Sequence, residues 1–92
     1  MQLLPEVLTV REAGATLRML AQALHREGSA GPVEIDASPL ARFDSEALAV
    51  LLECRRQAQS FGRAFELRHA PDKLVALARL YGVEDLLLRR AA

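Results

Sequence analysis

Six side chains in this 92-residue chain stand out by type and position as candidates for chemistry: His25, Asp36, Asp44, Ser45, Cys54 and His69. Two carboxylates can share general acid and base work, which makes Asp36 and Asp44 a conceivable pair. Each also has a plain structural role. Asp36 ends a strand-like run, and Asp44 precedes a helical one, where its carboxylate can accept the orphan N–H groups of the first turn. Ser45 has no base partner near it in sequence and no G-x-S-x-G elbow around it. Cys54 falls on the inward side of its helix, two turns in, where a cysteine is an inert small hydrophobe. His25 lies on the solvent side of a helix and His69 follows a strand. Neither has a carboxylate or cysteine at metal-ligand spacing. Phosphate-binding, dinucleotide and zinc-protease motifs are absent. The expectation is a chain that is not an enzyme, with no catalytic residue, cofactor or metal.

Composition narrows the class. Ninety-two residues make one small domain, residues 1–92. A hydrophobic share of 51% suffices for a core, and charged residues at 26% are ordinary. Formal net charge is zero, so no electrostatic case exists for nucleic acid or an anionic membrane. Neutrality also favours association, so self-association of the isolated chain is expected. The apolar runs are too short to span a bilayer. Met1 to Glu6 lacks the basic start and long apolar core of a signal peptide. A single cysteine excludes an internal disulfide and a cysteine-rich metal site. The chain reads as cytoplasmic, without direct membrane insertion.

The elements that position these residues follow in order. Leu3-Leu4 closes a short strand before Pro5. Thr9-Val10-Arg11-Glu12 has the form of a capping box. The helix it opens buries Ala13, Leu17, Leu20, Ala21 and Leu24, keeps Arg11, Arg18, Gln22 and Arg26 wet, and stops at Gly28. Gly28 to Pro32 is a turn. Val33 and Ile35 alternate with Glu34 and Asp36, the period of a half-buried strand. A turn at Ala37-Ser38-Pro39 leads into the loop 41–44 and a helix to about Phe61, with Gly62 after its end. Phe65 and Leu67 alternate with Glu66 and Arg68 as a third strand. Ala70-Pro71-Asp72 opens a helix with buried Leu74, Leu77, Ala78 and Tyr81, ended by Gly82. Val83 to Leu88 is a helical turn or a strand. Alternating strands and helices predict an α/β fold with a parallel or mixed sheet of three to four strands and right-handed crossovers. The polar alternation on the strands predicts helices mainly on one face.

The stretch Ala41 to Leu52 organises the rest. Phe43 can plug the loop onto the core, Asp44 caps the helix, and Glu46 suits the positive end of the helix dipole. On a helical wheel Ala47, Leu51, Cys54, Ala58 and Phe61 fall on one side, with Leu48 beside them. Glu46, Ala49, Glu53 and Arg56 fall opposite, flanked by Ser45, Val50 and Leu52. The first turns of that outer face carry small and apolar residues where an independent surface helix would carry long polar ones. It is either a moderately apolar surface or a docking patch centred on the helix start.

Ile35-Asp36-Ala37-Ser38 followed by Phe43-Asp44-Ser45-Glu46-Ala47-Leu48 and the apolar helix resembles the signature of STAS domains, the sulphate-transporter and anti-sigma-antagonist family. Gly62 with Phe65-Glu66-Leu67, then Pro71 to Val83, continues the resemblance, which spans Val33 to about Leu87. The segment Leu77-Ala78-Arg79-Leu80-Tyr81-Gly82-Val83 looks most like the MlaB subgroup. The resemblance implies a STAS-like (SpoIIAA-like) fold and a non-catalytic cytosolic subunit, peripheral to the inner membrane through its partner. That partner would be an MlaF-like ABC ATPase, in a complex with a membrane permease that moves phospholipids and maintains outer-membrane lipid asymmetry. It implies partner binding at the helix start: Ser45, Glu46, Ala49, Val50 and Glu53, with Asp44 as the cap and Leu52 and Arg56 at the margin.

The alternative within the family is a phosphorylation-regulated anti-sigma factor antagonist. Signalling members carry a second hydroxyl residue after Asp-Ser. Here Glu46 stands there, a permanent charge that cannot take a phosphate. A nucleotide-binding role has no phosphate-cradling loop to support it. The usual glycine is Ala47, which a helical φ tolerates. Family members often begin with an extra strand, so the sheet is expected to be one strand short, with an open edge.

Overall fold

Val33 and Ile35 bury their side chains while Glu34 and Asp36 point the other way, and this half-polar strand is the middle of the sheet. The computed structural model describes residues 1–27 and 31–88, without the side chains of residues 25–27. Along the chain run β1 (Gln2–Leu3), β2 (Val7–Leu8), α1 (Val10–Glu27), β3 (Val33–Asp36), β4 (Arg42–Phe43), α2 (Glu46–Ser60), β5 (Phe65–Arg68), α3 (Asp72–Leu80) and α4 (Glu84–Leu88). The expected stop at Gly28, its turn through Ala30, and the exposure of His25 and Arg26 lie outside the described residues.

The main sheet has the order β1-β3-β5, with both pairs parallel. The chain therefore crosses the sheet twice in the same direction, first through α1 and then through α2. Right-handed crossovers in one direction put both helices on the same face. Val33, Ile35 and Leu4 point to that face and pack with Leu20, Leu24, Leu51, Leu74 and Leu87 in one core cluster. Each such side chain stabilises the fold by roughly 1.5–3 kcal/mol when fully buried. Leu3, Glu34, Asp36, Glu66 and Arg68 point to the opposite face.

The capping box forms in half: Glu12 reaches back to the Thr9 N–H, but the Glu12 N–H donates to the Thr9 carbonyl at 3.1 Å and the Thr9 hydroxyl accepts the Arg11 N–H at 3.4 Å instead. The Thr9 N–H donates to Glu12 Oε1 at 2.9 Å, and the Thr9 hydroxyl donates to the same oxygen at 2.7 Å. Both bonds hold the Glu12 carboxyl below the usual carboxylate range. In α1, Leu20 and Leu24 are buried as expected. Ala13, Leu17 and Ala21 are only half-buried, and Thr16 joins the buried stripe. The segment 83–88 resolves as the helix α4, which drops Leu87 into the core.

Further features depart from the pattern that the sequence predicts. A second, two-stranded parallel sheet pairs β2 with β4, which makes Arg42–Phe43 of the predicted loop 41–44 a short strand. Strands this short leave no periodicity to read, and their pairing is long-range. Phe61 and Tyr81 were expected in the core and are 48% and 57% exposed. Each sits one step past the last helical residue, as the C-cap before a left-handed glycine. The chain turns there, and the helical wheel no longer gives the direction of the side chain.

Candidate docking site at the start of the central helix

The loop between β3 and α2 is built by local bonds. The Ser38 N–H donates to Asp36 Oδ1 at 2.8 Å, and the Leu40 N–H to the Ala37 carbonyl at 3.0 Å. Leu40 is buried, so the turn is nailed to the core. The N–H groups of Ala41 and Arg42 then donate to the Glu6 carbonyl at 2.8 and 3.0 Å, which starts the β2–β4 pair. Phe43 is buried as expected, and the ammonium of Lys73 stands 5.5 Å from its ring centroid. This is a cation–π contact between α3 and the loop before α2. Nothing in the spacing of Lys73 announces it, because the two residues meet only through the tertiary fold.

Asp44 caps α2. Its Oδ1 accepts the Glu46 N–H at 2.9 Å. Ser45 already has helical dihedrals, φ −63° and ψ −16°, so its side chain leaves the capping to Asp44. Beyond the cap, Asp44, Ala49 and Arg56 are exposed, and Ser45, Glu46, Leu52 and Glu53 are half-buried. Val50 corrects the expected patch: it is 3% exposed and belongs to the core. The buried arc of α2 is wider than a lone helix on a sheet would need, because α1 packs beside α2 and α4 also touches it. Leu48 and Val50, one on each flank of the inward centre, are both covered.

The far end of the patch neutralises itself. The Arg56 guanidinium donates from Nε to Glu53 Oε1 at 2.8 Å and from Nη2 to Oε2, and Gln57 Nε2 adds a bond to Oε2 at 3.1 Å. These bonds, Arg56 first, pull the Glu53 carboxyl down to about 2. The acids at the helix start are Asp44, which serves the Glu46 N–H, and Glu46.

The other chemistry-bearing residues are placed as follows. Asp36 and Asp44 each serve a backbone N–H, at Ser38 and Glu46 respectively. The Ser38 bond is the first cause holding the Asp36 carboxyl below its ordinary value, and His69 adds to it. His69 Nδ1 lies 3.2 Å from Asp36 Oδ1, a meeting across two strand ends that sequence spacing hides. His69 also adopts a left-handed φ of +59°. Cys54 is buried, and burial pushes its thiol up to about 11. It is no nucleophile near neutral pH. Among the described residues, no group of three His, Cys, Asp or Glu is placed to hold a metal ion, and no helix is long and apolar enough to cross a membrane.

A small α/β domain with a parallel sheet, helices on one face and a capped helix start beside it is a STAS-like arrangement. A family model described as MlaB, STAS domain, matches residues 4–89. The chain belongs to the STAS domain family, in its MlaB-like branch, a family that is generally non-catalytic. No curated protein matches the chain.

Proposed function

We propose that this domain is a cytoplasmic, non-catalytic subunit that docks on the ATPase of a Mla-type ABC transporter. There it supports ATPase activity in phospholipid trafficking, and so outer-membrane lipid asymmetry. It is held peripheral to the inner membrane through the ATPase and its permease. The observation that carries this reading is the exposed start of α2 in a domain of MlaB type: Ala49 and half-buried Ser45 allow close backbone approach, and Asp44 and Glu46 supply charge that orients a partner. Glu46 weighs against the signalling alternative, since it occupies the position a kinase would modify. Phosphate found on Ser45 in cells by mass spectrometry would revive that alternative.

The test is Ala49→Arg, followed by co-purification with the candidate ATPase. The long arginine side chain would hold a partner off a surface that otherwise closes on a methyl group, and burying its charge costs several kcal/mol. The expected result is loss of co-purification with an unchanged circular dichroism spectrum, because Ala49 faces away from the core. Wild-type recovery of the folded variant would move the docking face elsewhere on the domain.

A further inference from the structure

The second surface of interest lies on the other side of the molecule from the helices. All-parallel sheets normally carry helices on both faces. Here the helices share a core on one face only, and the other is bare among the described residues. That bare face is acidic with an apolar edge. By register, Glu34 pairs with Glu66 and Leu3–Asp36–Arg68 forms a row across the strands. Glu34 and Glu66 stand against the single guanidinium of Arg68, Asp36 is mostly covered by Ser38 and His69, and Leu3 and Met1 are each 59% exposed.

The outer side of α1 has the opposite character. Arg11 and Arg18 are exposed there on one stripe, with Gly14 and Ala15 between them. Val10 and Met19 flank that stripe, and both are exposed large hydrophobes. The acid of this segment, Glu12, is turned into the Thr9 cap.

We infer that these two surfaces mate, so that copies of the chain stack head to tail, α1 of one copy covering the bare sheet of the next. Charge sign selects this pairing. Sheet against sheet would oppose carboxylates, and helix against helix would oppose guanidiniums, whereas sheet against helix joins unlike charges. Gly14 and Ala15 are small enough for a close approach once the Arg18 guanidinium, which lies over Gly14, turns to the facing carboxylates. The molecule is a slab, 32 × 32 × 19 Å, the thickness of one helix layer on one sheet. Its broad side can supply the roughly 800 Å² per partner of a standard interface. Because the mating surfaces lie on opposite broad sides, the contact is heterologous and does not close, so the stack grows with concentration. The inference is independent of the docking site on α2.

Sedimentation equilibrium of the whole chain, from micromolar to millimolar, tests it. The weight-average mass should climb past that of a dimer without a plateau, and fall back when salt is raised from about 0.05 M to about 0.5 M. Arg18→Glu and Glu34→Lys should each return the chain to single-chain mass. The double variant, with both charges exchanged, should stack again. Circular dichroism checks that each variant is folded, and Met19→Asp replaces any charge variant that is not. Single-chain mass at every concentration overturns the inference and leaves the face to a basic segment of another protein. A plateau at the dimer, or single variants that associate like the wild type, overturns it equally.

Discussion

Ala49 and Val50 are neighbours in the chain, yet the first is exposed and the second is in the core. One helical step of about 100° separates them, so the first reaches solvent while the second packs inward. At this scale the charges of the patch also divide. Glu53 is committed to Arg56 and Gln57, while Asp44 is committed to the backbone of its own helix. The Glu53 carboxyl lies at about 2 in the fold against an ordinary 4.5. A depressed carboxyl contributes stability that is fully present above its unfolded value and is lost as pH falls through the folded one. Glu53→Gln should therefore melt below the wild type by a constant margin above about pH 5. Between pH 4.5 and about 2 that margin should shrink toward zero. Thermal melts across this range check it, and a margin that stays constant down to pH 2 would show that the Arg56 pair contributes nothing to folding.

The elements end where local chemistry ends them. At the close of α2 the Gly62 N–H donates to the Gln59 carbonyl and the Arg63 N–H to the Ala58 carbonyl, both at 2.9 Å. This is a Schellman turn, which needs a left-handed residue at Gly62, where φ is +70°. A Cβ there would meet nothing within 4 Å, so only the backbone conformation resists substitution. Gly62→Ala should cost about 1–2 kcal/mol, with Gly62→Asn costing less because asparagine tolerates this region. Urea unfolding measures both, and equal stability of the alanine variant would mean that the turn rearranges freely. Such signals explain what was legible in advance. Thr9 with Glu12, the alternation at Val33–Asp36, Asp44 at its helix start and Gly62 each act within a few residues, so the sequence shows them directly. The β2–β4 pair, the Lys73–Phe43 contact, the His69–Asp36 contact and the burial of Val50 depend on partners far along the chain. Phe61 and Tyr81 are a local matter instead: each is a C-cap, beyond the last residue to which helical periodicity applies.

For the molecule as a whole, the one-sided sheet sets the balance of charge. Glu34 and Glu66 are register partners on adjacent strands, an arrangement of like charges that weakens a sheet. Arg68 offsets it, with Nη2 at 3.2 Å from Glu34 and 2.7 Å from Glu66. A helix over this face would bury all three groups and raise the cost of their desolvation. On a bare face water shares the work, and the bridge is worth only about 0–1 kcal/mol for each exposed pair. Arg68→Ala should thus destabilise the fold by roughly 1 kcal/mol at low salt, combining the lost pairs with the repulsion left behind. The deficit should narrow as salt rises, since exposed charges are screened within a Debye length. Adding Glu66→Gln to the variant removes the repulsion and should recover part of the loss, whereas Glu66→Gln alone, with Arg68 intact, should cost little because Glu34 still holds the guanidinium. Denaturant titrations of the four chains close a double-mutant cycle. They should be run at the lowest concentration, where single chains dominate and association cannot add to the apparent stability. Strict additivity of the two substitutions would mean that Arg68 acts through its packing on β5, and that the carboxylate pair is already relaxed by solvent without it.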